Sequence, residues 1–130
     1  MSCTTAATVR VFLADDSVEI RERIAQLLAA AHMRVVGEAG TPDRCIAGIL
    51  SSHPDVVVLD VQLEGGSGLE VLRAVRRVAP QIPFVVFSNN DAPAYRKRYL
   101  AEGAARFLDK SSDFQALAPA VAAAGQRPIH

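Results

Sequence analysis

Four branched or aliphatic residues in a row, Val56-Val57-Val58-Leu59, end abruptly on a carboxylate, Asp60. No polar residue interrupts the run and β-branched side chains dominate it, which predicts a strand buried on both faces. A lone carboxylate where such a strand emerges needs partners. Two stand at the end of another apolar run, Val9-Arg10-Val11-Phe12-Leu13-Ala14, which stops on Asp15-Asp16. Parallel sheets bring neighbouring strand ends together, and ligands bind just beyond their carboxyl ends. The pattern therefore predicts an acidic pocket of Asp15, Asp16 and Asp60.

A strand buried on both faces requires helices on both sides, and the rest of the chain supplies them. The first strand runs from about Thr8 to Ala14. Ser17 then caps a helix with Ile20, Ile24, Leu27, Leu28 and Ala31 inward and Glu19, Arg21, Glu22 and Arg23 on a solvated face. Met33 to Ala39 forms a second strand, and Thr41-Pro42 opens a helix to about Ser51, closed by His53-Pro54. After Asp60, Gly65-Gly66-Ser67-Gly68 turns the chain into a third helix. Ser67 and Glu70 are spaced there as a capping box, with Leu69, Leu72, Val75 and Val78 as the inner face. Pro80 and Pro83 bracket the loop to a fourth strand, Phe84 to Phe87, which ends on Ser88-Asn89-Asn90-Asp91. A fourth helix, about Ala92 to Glu102, stops at Gly103 as its C′ glycine. Ala105 to Leu108 is a short edge strand running into Asp109-Lys110. Ser112 and Gln115 are spaced as a second capping box, for a last helix from Asp113 to Ala124 with Phe114, Leu117 and Val121 inward.

Five strands alternating with five helices demand right-handed crossovers and a parallel sheet covered on both faces, an α/β fold. At 130 residues the chain is about one domain. We place it at residues 8–124, with residues 1–7 disordered and residues 125–130 a short tail. The formal net charge is zero, which argues against nucleic acid as a direct partner of this domain. No apolar stretch approaches the roughly 18 residues of a membrane span, and the polar start Met1-Ser2-Cys3-Thr4-Thr5 is unlike a signal peptide. A cytoplasmic protein without membrane contact is expected. Cys3 and Cys45 have no metal-ligand spacing and read as a terminal thiol and a helix thiol. His32, His53 and His130 likewise show no ligand spacing.

Four of the five strands end on groups with chemical potential: Asp15 and Asp16, Asp60, Ser88, and Lys110. Two like unit charges about 4 Å apart cost roughly 4 kcal/mol at an effective dielectric near 20, so gathered carboxylates need a positive offset. Mg²⁺ fits, since it favours one or two carboxylates, waters and a phosphate oxygen. Lys110 supplies a fixed positive charge, and the Ser88 hydroxyl a neutral donor. Together these groups suit a phosphoryl group in transfer. No Gly-rich phosphate loop of the G-x-x-x-x-G-K type is present, so no nucleotide cradle is visible.

The Asp pair after strand one, Asp60 with Gly68 eight residues on, Ser88 after strand four and Lys110 after strand five resemble the receiver domain of bacterial two-component response regulators, over nearly the whole chain. The resemblance implies a flavodoxin-like, doubly wound fold with five parallel strands in the order 2-1-3-4-5. It makes Asp60 the phosphoacceptor, fed by a histidine kinase or histidine phosphotransferase. Asp16 would ligate Mg²⁺ directly and Asp15 chiefly through water, with Asp60 and the Gln62 carbonyl as further ligands. Ser88 and Lys110 would bind the phosphoryl oxygens beside Asn89, and Phe107 takes the position of the aromatic switch. Phosphorylation would draw Ser88 and Lys110 toward the phosphate, let Phe107 rotate inward, and alter the surface of helix four, strand five and helix five. Tyr95, Arg96, Lys97, Arg98 and Tyr99 on helix four are then the candidate face for a downstream protein or a second copy. Such a domain is no enzyme toward external substrates, but promotes phosphoryl transfer to, and hydrolysis from, its own aspartate.

Three positions depart from the family pattern: Glu64 and Ser111 stand where proline is usual, and Asn89 where a smaller residue is usual. Two other readings stay open. A haloacid-dehalogenase-like phosphatase shares a nucleophilic Asp, a hydroxyl, a Lys and acidic metal ligands, although its first-strand motif would be D-x-D rather than Asp15-Asp16. A receiver that works as a phosphorylation-independent interaction module is the other. No output domain is legible after residue 124, which leaves partner binding, a phosphoryl sink or relay, or a fragment.

Overall fold

A computed structural model describes residues 8–89 and 92–126; the expected disordered start (1–7) and the end of the tail (127–130) lie outside the described residues. The elements follow one another as β1 (Arg10–Ala14), α1 (Val18–Ala30), β2 (Arg34–Ala39), α2 (Pro42–Ser52), β3 (Val56–Leu59), β4 (Gln62–Leu63), β5 (Gly66–Ser67), α3 (Gly68–Val78), β6 (Phe84–Ser88), α4 (Pro93–Ala101), β7 (Arg106–Asp109) and α5 (Phe114–Gly125). The main sheet is parallel throughout, in the order β2-β1-β3-β6-β7. Among the five strands expected from sequence this is the order 2-1-3-4-5. What the sequence did not announce is β4–β5, a two-residue antiparallel hairpin in the turn after Asp60.

The unbroken apolar run of β3 is explained by its two neighbours in depth. Val57 and Leu59 join Phe12, Phe84 and Val86 beneath the inward sides of α2 and α3. Val56 and Val58 point the other way, joining Val11, Leu13 and Phe87 with Ile24 and Leu28 of α1 and Leu117 and Val121 of α5. Each face is a closed apolar layer, so β3 sits at the centre of the molecule and its end is held rigidly. Close packing is visible at Phe12, whose ring lies against Gly37 and Gly48; a Cβ at Gly48 would come within 2.6 Å of it.

The expected helix starts are present where a side chain closes the first turn. Ser17 Oγ accepts from the Ile20 N–H at 3.2 Å, Thr41 Oγ1 from Arg44 at 3.4 Å, and the Ser67 N–H donates to Glu70 Oε1 at 3.1 Å. Gly103, at φ +106°, ends α4 as expected. The second capping box is corrected: Asp113, not Ser112, is the N-cap of α5. The Asp113 carboxylate accepts from the Asp109 N–H at 2.9 Å while the Asp113 N–H donates to the Asp109 carbonyl at 2.7 Å, a closed loop that draws the helix start one residue on. Val78 is also corrected, being 68% exposed. It lies in the last turn of α3, past the edge of the core, where Ala79 and Ile82 close the layer and Val71 takes the inward position. Ala31, expected inward, is the exposed C-cap of α1.

Candidate functional site

Backbone bonds at the sheet's carboxyl end fix the positions of the expected site residues. The Asp60 N–H donates to the Ala14 carbonyl at 2.9 Å, the Asp15 N–H to Ala39 at 3.1 Å, and the Lys110 N–H to Ser88 at 3.0 Å. Together with the β3–β6 pairing, these bonds bring five strand ends into register, and the side chains beyond four of them meet. Lys110 Nζ donates to Asp15 Oδ2 at 2.6 Å and to Asp60 Oδ2 at 2.9 Å. A cleft of about 490 Å³ is lined by Asp15, Asp16, Asp60, Gln62, Ser88, Asn89 and Lys110, together with Ser17 and Ile20. The convergence expected from strand ends is therefore present in full.

Burial sets the electrostatics. Asp15, Asp60 and Ser88 are buried, whereas Asp16 is exposed at the mouth. Desolvation raises the Asp15 pKa above the usual carboxylate value, despite hydrogen bonds from Lys110 and the Ser17 N–H. Burial works against the Lys110 ammonium too, but its bonds to Asp15 and Asp60 outweigh it and hold the pKa above the ordinary lysine value. One ammonium among three carboxylates leaves a negative surplus. Carboxylate oxygens of Asp15, Asp16 and Asp60 all lie within 4.8 Å of one another, and every donor is a hard oxygen. Such a set fits Mg²⁺ better than a soft transition metal. Asp16, the exposed member, makes no ion pair among the described residues.

The turn after Asp60 is shaped to keep this carboxylate in place. Gly68 packs directly on the Asp60 carbonyl, where any Cβ would overlap the oxygen, and its N–H donates to Val61 at 2.8 Å. The departures from the expected prolines acquire a physical meaning. The Glu64 N–H donates to the Gly40 carbonyl at 2.8 Å, and the Ser111 N–H and hydroxyl both donate to Asp109 Oδ1, at 2.8 and 2.6 Å. A proline has no N–H to give at either place. Asn89 is exposed on the cleft wall, and Asn90 and Asp91 lie outside the described residues.

Two readings of individual side chains change, those of Tyr99 and Arg21. Tyr99, placed on the partner face from sequence, is 2% exposed and belongs to the core; its hydroxyl donates to the Val61 carbonyl at 3.5 Å, and burial pushes its pKa up to about 12. Helix geometry explains the error, since Tyr95 and Tyr99 flank the basic run in sequence but α4 rests on the sheet at Tyr99. Tyr95, Arg96, Lys97 and Arg98 are exposed as expected. Phe107 already points inward, 2% exposed and edge-on to Tyr99 with centroids 6.1 Å apart. Arg96 covers it from outside, Nη1 donating to the Phe107 carbonyl at 3.1 Å. Of the residues assigned to the solvated face of α1, Arg21 is instead drawn into contacts, whereas Arg23 is exposed as expected. Arg21 donates to the Asp15 carbonyl at 2.5 Å and pairs with Glu38 at 2.8 Å, while Arg23 stacks 4.3 Å from the Phe114 centroid. Arg21 is the site residue that the sequence reading missed; its signal was a cation one helical turn past Ser17.

The family model for the response regulator receiver domain matches residues 11–122. Response regulator GacA of Pseudomonas aeruginosa is 32% identical over 124 residues, covering 93% of this chain and 58% of that protein. The DNA-binding transcriptional activator DevR/DosR of Mycobacterium tuberculosis is 32% identical over 114 residues, covering 87% and 52%. The chain thus spans a little over half the length of these curated relatives. Among solved structures, a LuxR-family two-component response regulator from Aurantimonas has a TM-score of 0.86 at 29% identity, covering 95% of this chain and 90% of that one. The signal receiver domain of NarL from Mycobacterium tuberculosis has a TM-score of 0.85 at 33% identity, covering 94% and 100%. No helix among the described residues is long and apolar enough to cross a membrane.

Proposed function

Because the chain belongs to the response regulator receiver domain family, a family of phosphorylation-dependent signalling domains that work between histidine kinases and downstream effectors, we propose that Asp60 is its phosphoacceptor. The observation that carries this reading is the single ammonium of Lys110 held between Asp60 Oδ2 and Asp15 Oδ2, in a cleft that also gathers Asp16 and Ser88. An Asp60 carboxylate oxygen attacks the phosphorus of a phosphohistidine on a kinase or phosphotransferase. A P–O bond forms, the P–N bond breaks, and the imidazole nitrogen leaves with the electron pair and takes a proton from solvent.

Lys110 is placed to transfer one of its hydrogen bonds from Asp60 to a phosphoryl oxygen, and the Ser88 hydroxyl to donate to another. Asp15, Asp16, Asp60 and the Gln62 carbonyl would hold Mg²⁺, which when bound supplies charge neutralisation at the phosphoryl oxygens. The surface of α4, β7 and α5 is the readout, for a downstream protein or a second copy. Phe107 stands inward here, so the switch runs between this arrangement and an outward one, with Arg96 as its outer clasp. Moving such an element from mostly off to mostly on takes about 5.5 kcal/mol of differential stabilisation.

The test is intact-mass measurement after incubation with acetyl phosphate and Mg²⁺. One added phosphoryl group, absent with EDTA and absent in Asp60→Asn, is the expected result. An unmodified wild-type protein would overturn the reading in favour of a phosphorylation-independent interaction module.

A further inference from the structure

Between α3 and α4 runs a groove that the phosphoryl chemistry does not use. Leu69, Arg73 and Arg76 follow one another down α3 at i, i+4 and i+7, and Tyr95, Arg98 and Glu102 down α4 at i, i+3 and i+7, so each set lies along one helix edge. The upper half, about 420 Å³, is lined by Val61, Leu69, Tyr95 and Tyr99. The lower half, about 360 Å³, is lined by Arg73, Arg76, Arg77 and Glu102. Arg98 joins them, since it lines the upper half while its Nε lies 3.7 Å from Glu102 Oε2 below.

The cationic half is built rather than incidental. Arg73 pairs with Glu102 at 2.8 Å. The Arg76 guanidinium rests over Gly103, where a Cβ would come within 2.7 Å of it, so a glycine makes its seat. Four guanidiniums face the single carboxylate of Glu102, and Arg76 and Arg77 form no ion pair among the described residues. In a chain of zero formal net charge, this is a local surplus of three positive charges. Guanidiniums bind carboxylates in forked pairs, and tyrosine and arginine are the side chains that dominate binding surfaces.

We infer that this groove docks a short acidic segment of a partner protein that carries one or two aliphatic or aromatic residues. The apolar side chain rests on Leu69 and Tyr95, and the carboxylates engage Arg76 and Arg77. Nucleic acid suits the groove less, because its upper half offers a phosphate backbone one cation, Arg98, beside the apolar surface of Val61, Leu69 and Tyr95. The groove shares Tyr95, Arg98 and Tyr99 with the α4 face assigned to readout but is walled on its other side by α3, and Arg96 and Phe107 are not among its lining residues; it stands whether or not Asp60 is phosphorylated. Gln62 lines both this groove and the acidic cleft, so an occupant adjoins the cleft without entering it.

Selection of a random twelve-residue displayed peptide library on the full chain, followed by fluorescence anisotropy with the best synthetic peptide, tests this. The expected peptides are rich in Asp and Glu around a Leu, Ile, Phe, Tyr or Trp. Their affinity falls about tenfold or more in Arg76→Glu/Arg77→Glu and in Tyr95→Ala, and is unchanged in Arg34→Glu/Arg44→Glu, two exposed arginines elsewhere. Each variant must give the wild-type circular dichroism spectrum to count as folded. Neutral or basic peptides, affinities unmoved by the groove substitutions, or a duplex DNA oligonucleotide that displaces the peptide and loses affinity with the same charge reversal would overturn the proposal.

Discussion

The acidic cleft and helix α4 lie side by side and are built on opposite plans. In the cleft, each functional side chain stands at the end of a parallel strand whose backbone is tied to its neighbour, and the Lys110, Asp15 and Asp60 side chains are 7%, 4% and 10% exposed. In α4, nine residues carry a single buried side chain, Tyr99, and no side-chain cap closes the helix start. The first arrangement spends its order on charge placed before any ligand arrives. The second touches the core at one ring and can shift with little loss. Under the proposed switch, reaction and readout would reside in regions of unequal local stability, the usual division between a rigid site and a movable element.

The largest effect should come from removing the charge that holds the cleft together. Lys110→Met leaves Asp15 and Asp60 buried without their ammonium, and urea unfolding in EDTA should show a loss of roughly 3–5 kcal/mol. Added Mg²⁺ should return part of it; an unchanged midpoint would show that the cleft is less rigidly compensated than its geometry implies. On the α4 side, Tyr99→Ala should cost about 3 kcal/mol as a core truncation, whereas Tyr95→Ala should stay within about 0.5 kcal/mol. Equal effects would erase the contrast between the buried and exposed tyrosines. Glu64→Pro should cost about 1 kcal/mol by deleting the N–H bond to Gly40, measured in the same way.

The smallest effect is a pH dependence. Because the folded-state pKa of Asp15 is raised, the folded chain holds that proton more tightly than the unfolded one. Its contribution is present below the ordinary carboxylate pKa and is lost as pH rises through the raised value. Without Mg²⁺, the midpoint should therefore fall over that window, and Asp15→Asn should flatten the fall.

Strand ends made the cleft legible. A buried β-branched run that stops on Asp60 and another that stops on Asp15-Asp16 leave little freedom once the sheet is parallel, and Ser88 and Lys110 follow from the same rule. Tyr99 was misread because a basic run between two tyrosines gives no sign of which ring faces inward; α4 is too short and too polar for periodicity to decide. Arg21 was missed because its partners are a backbone carbonyl and Glu38, which only the β1–β2 pairing brings near. Val78 and Ser112 failed at helix ends, where one residue of difference in the cap changes which face is covered.

The bond from the Glu64 amide to the Gly40 carbonyl reaches past the turn it closes. Gly40 also packs on Asp16, where a Cβ would come within 3.1 Å of its Cα. The lip that follows Asp60 and the lip that carries the acidic pair are therefore fastened to the same short loop, like two sides of a clasp. A cation held by one lip would be felt by the other, and the Glu64 amide, slow or fast in exchanging its hydrogen for deuterium, would report what the pocket holds.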